Sequence, residues 1–249
     1  KEIDDLKYWL IEATLREQNK EERIMEIQRL REANITPFFL WKLEFSEVFQ
    51  EKWGFDIVIG NPPYIEEKDH KEIFQPVAQS SLGKEFYQWK MNFFYFFFHL
   101  GLNLARDTWT INFITTNYYI TSAWWKKLRN DMKNRWTILE LINFDKLKIF
   151  ESAKWQNNII TTLKKWDFGI LARCLFTNRT GLASPDLLSN ILKWKDNETL
   201  YFQQQQNEIY FWPWNSIQSR ITKEWQISFS SIKTEKLWTL YDISQWVVE

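Results

Sequence analysis

Four residues that follow a short apolar run could hold a planar amine. Residues 57–59 are Ile-Val-Ile, Gly60 follows, and Asn61-Pro62-Pro63-Tyr64 comes next. The Asn61 side chain offers a carbonyl acceptor, and the backbone carbonyl of Pro62 offers a second one. Two such acceptors can hold an exocyclic amino group, and Tyr64 can stack on the ring that carries it. The four residues therefore suit an amino-substituted heterocycle such as adenine.

The sequence also indicates how these residues are positioned. Residues 57–59 predict a buried strand of a parallel sheet, and the two prolines that follow prevent further ladder bonding. A proline pushes the residue before it toward an extended conformation, which places Asn61 at the carboxyl end of the strand. Open α/β sheets bind their ligands at that edge. The alternative is an ordinary turn, in which asparagine and proline only redirect the chain.

Asn61-Pro62-Pro63-Tyr64 after a strand resembles the catalytic motif of N6-adenine DNA methyltransferases, in particular of the large fused type II (IIG-like) restriction-modification enzymes. The similarity covers about residues 41–165 and follows the order of that family. The matching segments are residues 41–49 before the motif, 103–117 for the next helix and strand, and 142–150 and 157–161 for the last two strands.

The resemblance implies methyl transfer from S-adenosylmethionine to N6 of an adenine flipped out of double-stranded DNA, within a restriction-modification system. It implies catalytic roles for Asn61, Pro62, Pro63 and Tyr64. Tyr64 would stack on one face of the adenine, and Phe150 would stack on the other face.

The same resemblance bears on the cofactor. The family carries an acidic-aromatic-glycine signature ahead of the Asn-Pro-Pro-Tyr motif, yet residues 1–53 contain no glycine. A glycine-rich turn is needed for close approach of the backbone to a cofactor. Phe97 is the residue that the resemblance places at the cofactor pocket. We therefore expect an internal fragment with the C-terminal half of a Rossmann-like sheet. The cofactor half would lie upstream or be missing, and the fragment alone would be inactive.

The patterning predicts three segments. Residues 1–36 have the charged amphipathic pattern of a long helix, for which packing on one stripe is preferred to DNA contact. Residues 37–168 alternate strands and helices, which predicts the α/β catalytic part of the domain. Its final strand is expected at residues 158–163. Residues 169–249 predict a linker and, from residue 237, the start of a target-recognition domain by resemblance.

Composition narrows the function classes. The chain has 32 basic and 32 acidic residues, so its net charge gives no support for a broadly basic nucleic-acid surface. Cys174 is the only cysteine, so no internal disulfide is possible and a cytoplasmic location is expected. The most apolar stretch, residues 91–104, is too short to cross a bilayer. His70 and His99 lack partners at metal-ligand spacing, so no metal site is predicted. The oligomeric state is not predicted.

Two other functions stay open. Enzymes that methylate a glutamine side-chain amide in a protein carry the same tetrapeptide. They usually lack a long insertion after it, whereas about 45 residues separate Tyr64 from the next predicted strand here. The chain could instead be a non-catalytic DNA-binding or interaction remnant that keeps the fold without a cofactor.

The tryptophans form a separate pattern. The chain has 16 tryptophans and only 6 glycines, although glycine is ordinarily about 7% of a protein. Many of the tryptophans stand at predicted turns or strand entries, where glycine supplies positive φ, and several of these places are glycines in the resembling family. A tryptophan-rich surface that stacks on nucleic acid would not explain these positions. We hypothesise that most of them, Trp41 excepted, are glycines encoded by UGA, and we expect several to be exposed or at positive φ. The tryptophans at such positions are Trp53, Trp109, Trp124, Trp125, Trp136, Trp155, Trp166, Trp238 and Trp246.

Overall fold

The computed structural model describes residues 2–34, 39–122, 125–153, 156–165, 169–211 and 216–217. It divides into two compact units, residues 1–55 and residues 56–249. The segment from residue 237, where a target-recognition domain is predicted to begin, lies outside the described residues. The segment limits at residues 36 and 168 stay predictions.

The first unit is helical. The predicted long helix is in fact two helices, because the chain breaks at Asn19, whose φ is 55°. Asparagine tolerates this left-handed conformation, which ends a helix. Tyr8 in the first helix and Ile24 in the second are buried, in keeping with packing along an apolar stripe. The helices of this unit are α1 (Glu2–Glu17), α2 (Glu21–Glu32), α3 (Trp41–Glu44) and α4 (Ser46–Lys52).

The rest of the chain alternates strands and helices, as predicted for an α/β fold. Short 3₁₀ helices also occur, among them Asn117–Ile120 and Glu151–Ala153. The elements are β1 (Phe55–Gly60), α5 (Lys71–Gln79), α6 (Ser81–Phe86), α7 (Phe94–Leu104), β2 (Ala105–Thr116), α8 (Lys126–Arg135), β3 (Trp136–Asn143), β4 (Leu147–Lys148), β5 (Asn158–Lys165), β6 (Ala172–Thr177), β7 (Gly181–Leu182), α9 (Pro185–Leu192), β8 (Thr199–Gln204), α10 (Gln206–Ile209), β9 (Tyr210–Phe211) and β10 (Ser216–Ile217).

Six strands form one mixed sheet in the order β1-β2-β5-β3-β6-β8. β5 runs antiparallel to both of its neighbours, so that Ile160 lies opposite Ile114 of β2 and Ile142 of β3. β3 and β6 are parallel, whereas β8 is antiparallel to β6. Because of this topology, the carboxyl ends of β2 and β3 and the amino end of β5 meet at one edge.

β1 lies at the border of this sheet, and the prediction that it is a buried strand is wrong. Ile57 and Ile59 expose 62% and 76% of their surfaces, while Val58 packs against the core. Alternate side chains of a strand point to opposite faces of the sheet. One face of β1 is therefore apolar and exposed.

β5 is not the final strand, which corrects the prediction for residues 158–163. β6 pairs with β3, with Cys174 opposite Leu141, and β8 pairs with β6. Residues 172–204 thus extend the same sheet. Burial raises the pKa of the Cys174 thiol to about 12, which makes it unreactive at neutral pH.

The main core lies between α7 and the sheet, and the predicted burial of this apolar helix is confirmed. Phe94, Tyr95 and Phe98 of α7 are fully buried, and burial of one such side chain stabilises a fold by about 1.5–3 kcal/mol. Gly101 permits the close approach to β2, because a Cβ at that position would lie 3.1 Å from Cζ of Phe113. None of the helices that the structure describes is both long and apolar enough to cross a membrane.

A buried charged cluster links α7 to α8. Nδ1 of His99 lies 2.6 Å from Oδ2 of Asp131, and the Phe86 ring stacks on the imidazole at 3.6 Å between centroids. Nη2 of Arg135 donates to the same Asp131 oxygen over 2.6 Å. Burial lowers the pKa of His99, and the nearby carboxylate offsets this effect only in part. The imidazole is therefore neutral in the folded chain at neutral pH.

Acidification should destabilise the chain through His99. Its folded pKa lies below the ordinary value of 6.5, so its contribution to stability is complete above that value and is lost as the pH falls toward the folded pKa. We expect the melting temperature to fall between about pH 7.5 and pH 5.5 in scanning calorimetry. His70 is the other histidine of the chain and is half-exposed. The His70→Ala variant should therefore show the same decrease in melting temperature. A constant melting temperature over this range would contradict the neutral buried imidazole.

Candidate catalytic site at the exit of strand β1

The chain leaves the sheet at Gly60 in the way that the sequence predicts. Residues 61–65 have no regular secondary structure; Asn61 and Pro63 are exposed, and Pro62 is buried. A Cβ at Gly60 would lie 3.3 Å from the Phe113 ring, so the strand end packs tightly on β2. A buried proline and a closely packed glycine therefore hold the backbone, while the Asn61 amide faces solvent.

Tyr64 is anchored to the neighbouring strand. Its hydroxyl donates a hydrogen bond to the Ile114 carbonyl of β2 over 3.0 Å. Its ring meets Phe94 edge-on, with centroids 6.1 Å apart. Burial raises the pKa of Tyr64 to about 12, and the nearby Asn158 side chain acts in the opposite direction. The phenol stays protonated at neutral pH, so its contribution to a site is a fixed aromatic surface and not a base.

Asn158 is a site residue that the sequence interpretation missed. It begins β5 opposite Thr116 and is fully buried. Neither polar atom of its side chain has a hydrogen bond of good geometry in the described chain. An unsatisfied buried amide costs about 1–3 kcal/mol, and the Tyr64 phenol is the side-chain group recorded beside it. The available signal was a polar residue at the entry of an apolar strand, next to Asn157.

Further asparagines join the strand ends around this position. Nδ2 of the Asn117 side chain donates to Oδ1 of Asn143 over 3.1 Å. The backbone amide of Asn117 donates to the backbone carbonyl of Asn157 over 2.8 Å. Oδ1 of Asn143 also accepts the backbone amide of Asp145 over 3.0 Å. These bonds tie β2, β3 and β5 together at the edge where Tyr64 is anchored.

Phe150 and Phe97 are the other two aromatic residues that the resemblance assigns to the site. Phe150 is half-buried between β4 and the following 3₁₀ turn, and within the described part of the chain no ring contact joins it to Tyr64. The proposed sandwich of an adenine between these two rings stays a prediction. Phe97 is half-buried on α7, and its ring lies 6.0 Å from that of Phe93.

A cavity of about 330 Å³ opens beside the segment that follows Tyr64. Glu67 shapes it, because its carboxylate is buried and accepts the backbone amide of Lys90 over 2.7 Å and the hydroxyl of Tyr87. The hydrogen bond with Glu67 is the main reason that the pKa of Tyr87 rises to about 12. The cavity is lined by Glu66, Glu67, Lys68, Lys90, Met91, Asn92, Thr116, Tyr118, Ser122 and Trp125.

The described residues do not fit an S-adenosylmethionine site. The turns that follow the described strands of the main sheet contain no glycine-rich segment that could approach a cofactor closely. Phe97, the residue assigned to that pocket by resemblance, packs against the core. The residues here can hold and orient an acceptor amine, and they do not account for binding of a methyl donor.

The mixed α/β sheet and its Asn-Pro-Pro-Tyr strand exit together indicate a chain of the methyltransferase class. Residues 1–150 match the Eco57I restriction-modification methylase family, and the chain belongs to that family. This membership agrees with the predicted fold class, a Rossmann-like methyltransferase sheet. A search of curated proteins gives no match.

Among the solved structures similar to this chain, three are described as restriction or methyltransferase enzymes. The type IIG restriction endonuclease BpuSI is 14% identical, with 61% of this chain and 19% of that chain covered and a TM-score of 0.43. A putative class I S-adenosylmethionine-dependent methyltransferase from Listeria monocytogenes is 16% identical, with 57% and 43% covered and a TM-score of 0.34. The ATP-dependent type ISP restriction-modification enzyme LlaBIII bound to DNA is 15% identical, with 76% and 14% covered and a TM-score of 0.45. The chain therefore spans less than half the length of each of these chains.

Proposed function

We propose that this chain supplies the amine-binding part of a DNA methyltransferase that transfers a methyl group to N6 of adenine in a restriction-modification system. The observation that supports this most is the geometry of residues 61–64. An exposed asparagine amide follows a strand end packed on β2, and the next aromatic ring is fixed by a hydrogen bond to that strand.

In the proposed complex, Oδ1 of Asn61 and the carbonyl of Pro62 each accept one N–H of the adenine amino group. Two acceptors draw electron density toward the nitrogen and orient its lone pair away from the ring plane. Tyr64 stacks on one face of the base, and Phe150 closes on the other face after rearrangement of its loop. Because the amino group is paired inside a duplex, the adenine has to be flipped out of the DNA.

S-adenosylmethionine is the proposed methyl donor, as the resemblance implies. In this proposal, S-adenosylmethionine binds to parts of the enzyme other than the described residues. The alternative of a non-catalytic DNA-binding or interaction remnant is favoured by one observation, the absence of a cofactor cradle from the described chain. An enzyme that methylates protein glutamine is the other alternative.

Product analysis of the longer protein that contains this chain separates these functions. The enzyme would be incubated with labelled S-adenosylmethionine and adenine-containing duplex DNA, and the DNA would be digested to nucleosides for mass spectrometry. N6-methyladenine is the expected product. N4-methylcytosine would contradict the base assignment, and the absence of any transfer to DNA would support one of the two alternatives.

Tyr64 should act through its ring. Tyr64→Ala removes stacking of about 1–3 kcal/mol, so kcat/KM for DNA methylation should fall about 5- to 150-fold. Tyr64→Phe is the matched control, because it keeps the ring and removes only the hydrogen bond to Ile114. It should cost about 1 kcal/mol of stability and leave kcat/KM within a few-fold of the original. Equal activity of the two variants would argue against stacking.

A further inference from the structure

Trp53 occupies a backbone conformation that suits glycine. It follows α4 with φ 64° and ψ 15°, in the left-handed region. Residues that carry a Cβ avoid this region, and glycine is the usual residue where a helix ends in it. The Trp53 side chain is 85% exposed, so little packing compensates for the unfavourable backbone.

Trp194 occupies a second position of this kind, at the end of α9. Its φ is 61°. The amide of Lys195 donates to the Asn190 carbonyl over 2.9 Å, and the amide of Trp194 donates to the Ile191 carbonyl over 3.1 Å. These two bonds define a Schellman motif, whose left-handed residue is most often glycine. The Trp194 ring does stack on Tyr201 at 5.0 Å, but that contact does not require positive φ.

The other residues at positive φ show how unusual these two are. Asn19, Asn34 and Asp145 belong to the types that tolerate the left-handed region, and Lys90 is the remaining non-glycine case in the described chain. Tryptophan has no local hydrogen bond to offer in this conformation. Two tryptophans among six such residues therefore need an explanation other than chance placement.

The described tryptophans do not behave as one set. Trp41 lies in an aromatic cluster, with its ring stacked 6.0 Å from that of Phe45, and Trp125 stacks on Phe94 at 5.1 Å. Trp136 is buried, yet its indole N–H has no partner in the described chain. Six of the described tryptophans, Trp41 included, are at least one-third exposed: Trp9, Trp41, Trp53, Trp89, Trp109 and Trp194. Trp124, Trp155, Trp166, Trp212, Trp214, Trp225, Trp238 and Trp246 lie outside the described residues.

We infer that residues 53 and 194 are glycines in the natural protein, encoded by UGA codons that its host reads as glycine. Translation of the same codons as tryptophan would add tryptophans and remove glycines, which is the imbalance of 16 to 6 in the chain. It would also place tryptophan at left-handed helix ends, which is what the structure shows at these two positions. The inference does not depend on the proposed function.

The coding DNA and the natural protein decide the matter. UGA is expected at codons 53 and 194, and UGG at either codon would overturn the proposal. Mass spectrometry of peptides from the native host should find glycine at both positions. Tryptophan in those peptides would overturn the proposal even if the codons were UGA, because UGA can also be read as tryptophan.

A stability comparison tests the structural half of the inference. Trp53→Gly and Trp53→Ala lose the same indole, but only glycine also removes the Cβ that disfavours positive φ. The melting temperature of Trp53→Gly should exceed that of Trp53→Ala by about 2–4 °C. Trp9 is 63% exposed within α1, and there the order should reverse, because glycine weakens a helix interior. Equal melting temperatures of the two Trp53 variants would overturn the backbone argument.

Discussion

Asn61→Ala should lower methyl transfer by the longer enzyme at least about 100-fold, which is the usual effect of removing a positioned polar group at a reacting centre. The Asn61 side chain is exposed, and the adjoining backbone is held by buried Pro62 and by the packing of Gly60. The substitution should therefore leave the fold and the affinity for DNA intact. Single-turnover methylation with S-adenosylmethionine measures the first quantity, and a gel-shift titration measures the second.

Two further variants sharpen this expectation. Asn61→Asp keeps an acceptor oxygen at the same position and should retain more activity than Asn61→Ala. Asn103→Ala changes an exposed asparagine on α7 and should leave methyl transfer unchanged. Normal turnover by Asn61→Ala would eliminate the amine-binding role, and loss of DNA binding would show that the residue acts on the fold or on the DNA instead.

The elements that the sequence predicted well are those with a strong local pattern. α7 follows from its nearly continuous aromatic and leucine residues, and β2, β3 and β5 follow from apolar β-branched runs. The exit of β1 at Gly60 follows from the two prolines. Each of these features depends on neighbours within a few positions along the chain.

The parts that could not be predicted depend on contacts between distant segments. The exposure of β1 is set by its position at the border of the sheet, which the run of residues 57–59 does not encode. The pairing of β6 with β3 joins Cys174 to Leu141, and β6 is too short for its own pattern to show the partner. The break at Asn19 was hidden because the residues around it continue a helical pattern.

The same division holds within the candidate site. Asn61 and Tyr64 were predicted from adjacent residues, but the hydrogen bond from Tyr64 to Ile114 spans 50 positions. Asn158 enters the site only because β5 runs antiparallel beside β2. No spacing rule brings such residues together; the sheet topology does.

Asp131 is expected to have the largest effect on stability. Its carboxylate is nearly buried, with 9% of the side chain exposed, and it lies between His99 and Arg135. Although burial alone would raise the pKa of Asp131, these two neighbours together bring it below its ordinary value. The aspartate is therefore charged in the folded chain. It supplies the acceptor oxygens that His99 and Arg135 contact.

Asp131→Ala should destabilise the chain by about 1–3 kcal/mol, because it leaves the buried neutral imidazole of His99 without its hydrogen-bond acceptor and removes the carboxylate that Arg135 contacts. Chemical denaturation monitored by circular dichroism measures the loss. Asp131→Asn keeps the shape and one acceptor, so it should cost less. Glu72→Ala removes a contact with His70 in which both side chains are at least half exposed, and it should produce no measurable change. If Asp131→Ala is as stable as Glu72→Ala, the buried cluster does not hold α7 against α8, and the packing of Phe86 and Tyr95 around His99 must do so.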